Sequence, residues 1–203
     1  MLDESIRAIR TDLSWRALGY LRKCSAPGPV REVACEGGRL PFTNESLNGI
    51  VCSEVLEHIQ NDDEVLSEMS RVLDRGGKLL LTCPIHPEYF GFDDKFVGHY
   101  RRYRVPDLLE SLTAYGFEKF DVRPVLGPLE KQLMIPVVWL FSKTRGAGTS
   151  ALPLGVGIRA LAWIFYPVYV LLNRILAGIA SWQVKRLPLQ KAVTVCISCR
   201  KPK

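Results

Sequence analysis

Through residues 1–124, short apolar runs alternate with amphipathic stretches of helical length. That alternation constrains the fold more than any other feature, because strand–helix–strand units close on a parallel sheet covered by helices. Ile6, Ile9, Leu13, Trp15, Leu18 and Leu21 recur near the 3.6-residue period. Residues 3–23 therefore read as a helix, ended by Ala26-Pro27-Gly28-Pro29. Residues 30–35 and 47–53 read as strands. Asn61 has the place of an N-cap, with Glu64 three residues on as in a capping box. Val65, Met69, Val72 and Leu73 give the helix behind it an apolar face, and Gly76-Gly77 stops it. Residues 78–83 form the most clearly marked strand, terminated by Pro84. A polar loop with several aromatic residues spans 87–104. Pro106 then opens a helix over 107–115, closed by Gly116. Residues 117–122 and 192–199 are further strands.

Residues 125–190 break this alternation. Two apolar segments, 133–141 and 160–172, flank Gly146-Ala147-Gly148. The stretch reads as a helical, apolar insertion before the last strand. The expected organisation is a core over 1–124, the insertion over 125–190, and the last core strand with its tail over 191–203. Charge divides at the same place. Residues 1–120 carry a net charge of −4 and residues 121–203 one of +10. A basic, apolar region suits a membrane surface or an anionic partner. Nucleic acid is not expected, since the basic residues form no run.

The segment 160–172 is short of the roughly 20 apolar residues a spanning helix needs. Extended to 151–182, a helix places Arg159, Asn173, Arg174 and Ser181 on one narrow face with Trp163 and Tyr166, and Pro167 kinks it. Three readings stay open: an interfacial helix, a tilted membrane span, or a lid over an apolar substrate. All three favour a small lipophilic substrate or a membrane-adjacent site. The N-terminus shows no secretory pattern, so the six cysteines read as reduced thiols of a cytoplasmic protein, peripheral at the membrane. Cys196 and Cys199 have C-x-x-C spacing, but on a strand they face opposite sides. With no second pair in the sequence, no metal is expected.

Residues 40–58, from Leu40-Pro41-Phe42 to Val55-Leu56-Glu57-His58, resemble the middle of the class I S-adenosylmethionine-dependent methyltransferases of the type 11 group. That group reads L-P-F, a polar turn, a strand, then V-L-E-H. Arg71-Val72-Leu73-Asp74-Arg75-Gly76-Gly77 is similar to its R-V-L-x-x-G-G turn. Gly98-His99-Tyr100-Arg101-Arg102-Tyr103, followed by a helix ending at Ala114-Tyr115-Gly116-Phe117, is similar to a subset of the group. The resemblance covers residues 3–124 and returns at 192–202. It implies an α/β, Rossmann-like sheet of order 3-2-1-4-5-7-6 and S-adenosylmethionine as cofactor.

The resemblance leaves two registers for residues 30–42. In one, residues 30–38 stand for the family's acid-x-G-x-G-x-G loop, with Ala34 and Glu36 where two glycines belong. In the other, Val33 to Phe42 match the third strand and its V-x-G-D-A-x-x-L-P-F pattern, with Glu36 in the place of the acid. The second fits without a gap and is preferred. It implies a core truncated at its N-terminus, lacking the first strand, the glycine-rich loop and the first helix. A compact rearrangement is the alternative.

The same register implies the site. Glu36, with Gly37, holds the adenine; Asp3 grips the ribose hydroxyls; Cys52 and Ser53 line the cofactor cleft at a strand's end. Each has a plainer alternative: a solvated turn carboxylate, a helix-start acid, ordinary strand packing. His99 is the candidate general base. Arg101 and Arg102, beside Tyr103, would clamp a carboxylate or phosphate of the substrate. The alternative is a packing motif that fixes the loop to the sheet. His58 belongs to the substrate side or makes a structural hydrogen bond. The expected activity is methyl transfer from S-adenosylmethionine to a small, lipophilic acceptor. Its rival is a truncated, non-catalytic relative associated with a membrane.

Overall fold

A computed structural model describes residues 7–24, 30–128, 131, 132, 178, 184 and 186–203. Asp3 and the apolar segments 133–141 and 160–172 lie outside them, as does nearly all of 151–182. The described elements are β1 (Ala8–Asp12), α1 (Trp15–Cys24), β2 (Val30–Ala34), β3 (Leu47–Ser53), α2 (Asp62–Val72), β4 (Leu73–Pro84), α3 (Phe92–Val97), α4 (Val105–Ala114), β5 (Glu118–Leu126) and β6 (Thr194–Arg200).

The single helix expected over 3–23 is corrected to a strand followed by a helix. Residues 8–12 pair in parallel with β2, Ala8 opposite Val30 and Asp12 opposite Ala34. The chain turns at Asp12, whose Oδ1 accepts the Ser14 amide at 2.7 Å. Ser14 Oγ accepts the Ala17 amide at 3.3 Å, which caps α1. Sheet pairing thus overrides a helical period that Ile6, Ile9 and Leu13 satisfy by spacing alone.

Asn61 does precede α2, but its side chain donates to Glu64 Oε1 at 2.7 Å and caps no backbone group. Helix α2 ends at Val72 and β4 starts at once, so Gly76 and Gly77 lie inside a strand rather than at a helix stop. Gly76 has φ of +75°, the left-handed region that suits glycine.

β3 and β4 are parallel, and β6 lies antiparallel between β4 and β5. The fold is α/β and Rossmann-like, with a parallel β3–β4 pair and antiparallel pairing at β6. The core sits between β4, β6 and the helices α2 and α4, around Leu79, Leu81, Val195, Ile197, Leu66 and Leu112, all at most 2% exposed.

The described strands form two sheets, ordered β2–β1 and β3–β4–β6–β5. β1 and β3 each pair on one side only. Val51, on β3, is 73% exposed at this opening. Set beside the order 3-2-1-4-5-7-6, β2 and β1 take places 3 and 2, and β3, β4, β6 and β5 take places 4, 5, 7 and 6. No described strand fills place 1. Among the described residues, no helix is long and apolar enough to cross a membrane.

Candidate functional site

A cavity of about 2320 Å³ opens between the two sheets, lined from β1, β2 and β3 and from the residues that follow them. Small-molecule pockets usually hold roughly 300–1,000 Å³. The cavity therefore exceeds a ligand's needs, because it includes the space between the free edges of β1 and β3.

Two acids stand at the same end of the parallel pair. Asp12 ends β1, and its carbonyl accepts the Cys35 amide at 3.1 Å, which ties the two strand ends together. Glu36 lies two residues beyond β2, and both Asp12 and Glu36 are exposed and line the cavity. Ser53 ends β3 across the cavity, its hydroxyl 2.9 Å from that of Thr82. Cys52 also reaches the lining, but burial, then the charges of Glu57 and Glu54, push its thiol up to about 12. It is a neutral packing group at physiological pH. Gly37 meets a packing need: a Cβ there would lie 3.2 Å from Ile59 Cδ1 and 3.5 Å from Val65.

The acid at the end of the strand before α1 is thus Asp12, where the sequence reading had Asp3. Asp12 was legible. The run Ala8-Ile9-Arg10-Thr11-Asp12 alternates, and Asp12-Leu13-Ser14 has turn and cap chemistry. Asp3 itself lies outside the described residues.

The histidines form a second cluster. Leu56–His58 is a single 3₁₀ turn after β3. The Tyr100 amide donates to the Glu57 carbonyl at 2.7 Å, which sets the loop carrying His99 against that turn. His58 is exposed and lines the cavity. His99 lies behind it, the rings edge to face with centroids 4.6 Å apart. Burial, followed by the charge of His99, pulls the His58 pKa below its ordinary 6.5. His58 is therefore neutral at pH 7 and able to accept a proton. His99 Nδ1 is 2.9 Å from Asp94 Oδ1, and its Nε2 is 3.9 Å from Glu57 Oε1. Burial and the nearby charge of Glu54 push Glu57 up to about 8. Sequence reasoning passed over Glu57 and Asp94. Both are acids in helical turns, and only the fold brings them to His99.

Arg101, Arg102 and Tyr103 meet protein partners. Arg101 donates to Asp62 Oδ1 at 2.7 Å and to the Gln60 carbonyl. The Tyr103 hydroxyl donates to Asp62 Oδ2 at 2.7 Å. The Arg102 side chain is buried, 2.8 Å from Asp94 Oδ1. The Tyr103 amide donates to the Pro84 carbonyl at 3.0 Å, fastening the loop to the end of β4. These contacts correspond to the loop-anchoring alternative. The clamp role for Arg101 and Arg102 has no free guanidinium behind it here.

S-adenosylmethionine fits one half of this site. Asp12 and Glu36 offer acceptors on adjacent strand ends, suited to ribose hydroxyls and an adenine amino group. Among the described residues, the cavity lining includes Gly37, Gly38 and Gly49 but no loop with the spacing G-x-G-x-G.

Residues 1–81 match the family described as "Methyltransferase domain". No curated protein sequence matches the chain. Among solved structures, the [4+2]-cyclase SpnF is similar with a TM-score of 0.60 and 20% identity, covering 98% of this chain and 67% of that one. A putative methyltransferase from Bacillus halodurans C-125 is similar with a TM-score of 0.54 and 18% identity, covering 96% and 83%. Phosphoethanolamine N-methyltransferase 2 from Haemonchus contortus, solved with S-adenosyl-L-methionine, has a TM-score of 0.57 and 18% identity, covering 97% of this chain and 44% of that one. The chain thus carries the fold of these solved structures, and residues 1–81 are similar to a methyltransferase domain.

Proposed function

We propose that the protein transfers a methyl group from S-adenosylmethionine to a small, lipophilic acceptor. The pair of acids at the ends of β1 and β2, facing one cavity, carries this reading. Asp12 would accept from the ribose hydroxyls and Glu36 from the adenine amino group. When bound, the cofactor would supply an activated sulfonium methyl: the acceptor's lone pair would bond to that carbon while the carbon–sulfur bond breaks and S-adenosylhomocysteine leaves. For a hydroxyl acceptor, the chain must also remove a proton. His58 is the neutral base that lines the cavity, and His99 stands behind it as an orienting neighbour. Tyr100 and Val51 offer apolar surface along the same lining, which supports an acceptor of low polarity.

The basic, apolar stretch 121–203 supports a site close to an anionic membrane surface. A second reading is a membrane-associated, non-catalytic relative. The free edges of β1 and β3 favour it, since the methionine side of the cavity lacks a described loop.

Methyl-labelled S-adenosylmethionine, incubated with matched panels of lipophilic and polar alcohols, acids and amines, tests the first reading. Label is expected in the lipophilic set and lost in His58→Ala. Co-sedimentation with anionic vesicles and no transfer to any acceptor would favour the second.

A further inference from the structure

We propose that Glu57, His58 and His99 form a binding site for one divalent cation of the zinc class, open to the cavity through His58. The inference rests on side-chain geometry alone and does not depend on methyl transfer; the His58 nitrogen that would hold the ion is the one the base role needs, so the two roles belong to the ion-bound and ion-free states.

Three observations converge. First, the ligand-type atoms of these three residues all lie within 4.8 Å of one another. Two imidazoles and one carboxylate are a donor set that suits zinc and leaves a coordination position for water or substrate. Second, Glu57 is fully buried and neither of its carboxylate oxygens has a hydrogen-bond partner. A buried carboxyl without a partner calls for a cause, and a bound cation is one. Third, the outer contacts fix the histidine. Asp94 Oδ1, an acceptor only, accepts a hydrogen bond from His99 Nδ1 at 2.9 Å. His99 Nε2 then faces Glu57 Oε1, 3.9 Å away. The two atoms are too far apart for a hydrogen bond. Zinc bonds to nitrogen and oxygen of about 2.0–2.2 Å span that gap, with a closure of about half an ångström for tetrahedral angles. A carboxylate holding the far nitrogen of a ligating histidine is the usual outer arrangement of such sites.

The scaffold is already tied. Besides the Tyr100 amide on the Glu57 carbonyl, the His99 amide donates to the Asp94 carbonyl at 2.9 Å. Arg102 is committed to Asp94 at 2.8 Å and Asp93 at 3.8 Å, so its positive charge is offset by carboxylates. His58, being exposed, gives the ion an access path and its remaining positions an outlook on the cavity.

The test is titration of the chelator-treated full chain with Co²⁺, followed by visible absorption, and with Zn²⁺, followed by calorimetry. One ion per chain is expected, with the bands of four- or five-coordinate Co²⁺ and no thiolate charge-transfer band. His58→Ala removes an exposed ligand without touching the core, and Glu57→Gln keeps the buried volume. Each is expected to weaken binding by more than the roughly 10–100-fold that loss of an outer-shell partner costs. Folding of both variants is checked by circular dichroism. No saturable ion, or one that binds both folded variants as tightly as the parent, would overturn the site.

Discussion

Asp94 is the buried charge on which the loop of residues 91–102 depends. Its Oδ1 meets Arg102 at 2.8 Å and His99 at 2.9 Å, and its Oδ2 accepts the Gly91 amide at 2.8 Å. The Arg102 side chain is only 4% exposed and that of Asp94 is fully buried. Asp94→Ala strands the guanidinium away from water, with Asp93 3.8 Å away as its remaining carboxylate partner. Breaking one side of such a buried pair costs about 3–5 kcal/mol, against a total stability of roughly 5–15 kcal/mol for a domain. Asp94→Asn keeps an acceptor and loses the charge, for about 1.5–3 kcal/mol.

The assay is urea unfolding followed by far-ultraviolet circular dichroism. Arg102→Met, made alone and with Asp94→Ala, closes a double-mutant cycle, and the double variant is expected to be more stable than Asp94→Ala. Acid sensitivity has a definite sign. Burial alone would raise the Asp94 pKa, but hydrogen bonds from Arg102, the Gly91 amide and His99 hold it below 3.8. A lowered folded value means stability present in full above pH 3.8 and lost as pH falls through that lower value. Asp94→Asn removes this share of the acid slope. A loss below about 1 kcal/mol in Asp94→Ala, or strict additivity with Arg102→Met, would refute the pairing.

Other perturbations separate neighbouring cases. A Cβ on Gly77 would lie 2.8 Å from the Asp74 carbonyl and 2.8 Å from Leu73 Cγ, so Gly77→Ala is expected to cost about 1–3 kcal/mol in thermal or urea unfolding. At Gly49 the nearest atom is 3.6 Å away, an ordinary contact, and Gly49→Ala should shift the same curves far less. Iodoacetamide at pH 8 is expected to label exposed Cys24 and to spare Cys52 and Cys83 until the chain is unfolded, as peptide mapping would show. Burial drives both spared thiols up, Cys52 to about 12.

Strand β3 was legible to the residue, because Leu47–Ser53 is an apolar run bounded by turn chemistry. Strand β1 was not. Ile6, Ile9 and Leu13 satisfy a helical period, and only pairing with β2 decides the matter. The direction of β6 was equally hidden. Its alternation marks a strand, while its antiparallel sense depends on how the chain returns between β4 and β5. At the cavity, Glu36 and Ser53 were legible because one follows a strand and the other ends one. Glu57 and Asp94 meet His99 only in three dimensions, so no spacing announces them. The sequence segment Gly98–Tyr103 carried two meanings, clamp or anchor. The partners Asp62 and Asp94, far away in the chain, are what distinguish them.

Calorimetric titration of the protein with S-adenosylmethionine tests the cofactor site most directly, with Asp12→Asn and Glu36→Gln beside the parent. Asp12→Asn keeps the side-chain acceptor that holds the Ser14 amide, so α1 stays capped. Saturable binding by the parent is expected. Each variant loses a charged hydrogen bond of about 1.5–3 kcal/mol, a weakening of roughly 10- to 150-fold. Absence of binding to the parent, or binding unchanged in both folded variants, would contradict the placement of the nucleoside between Asp12 and Glu36.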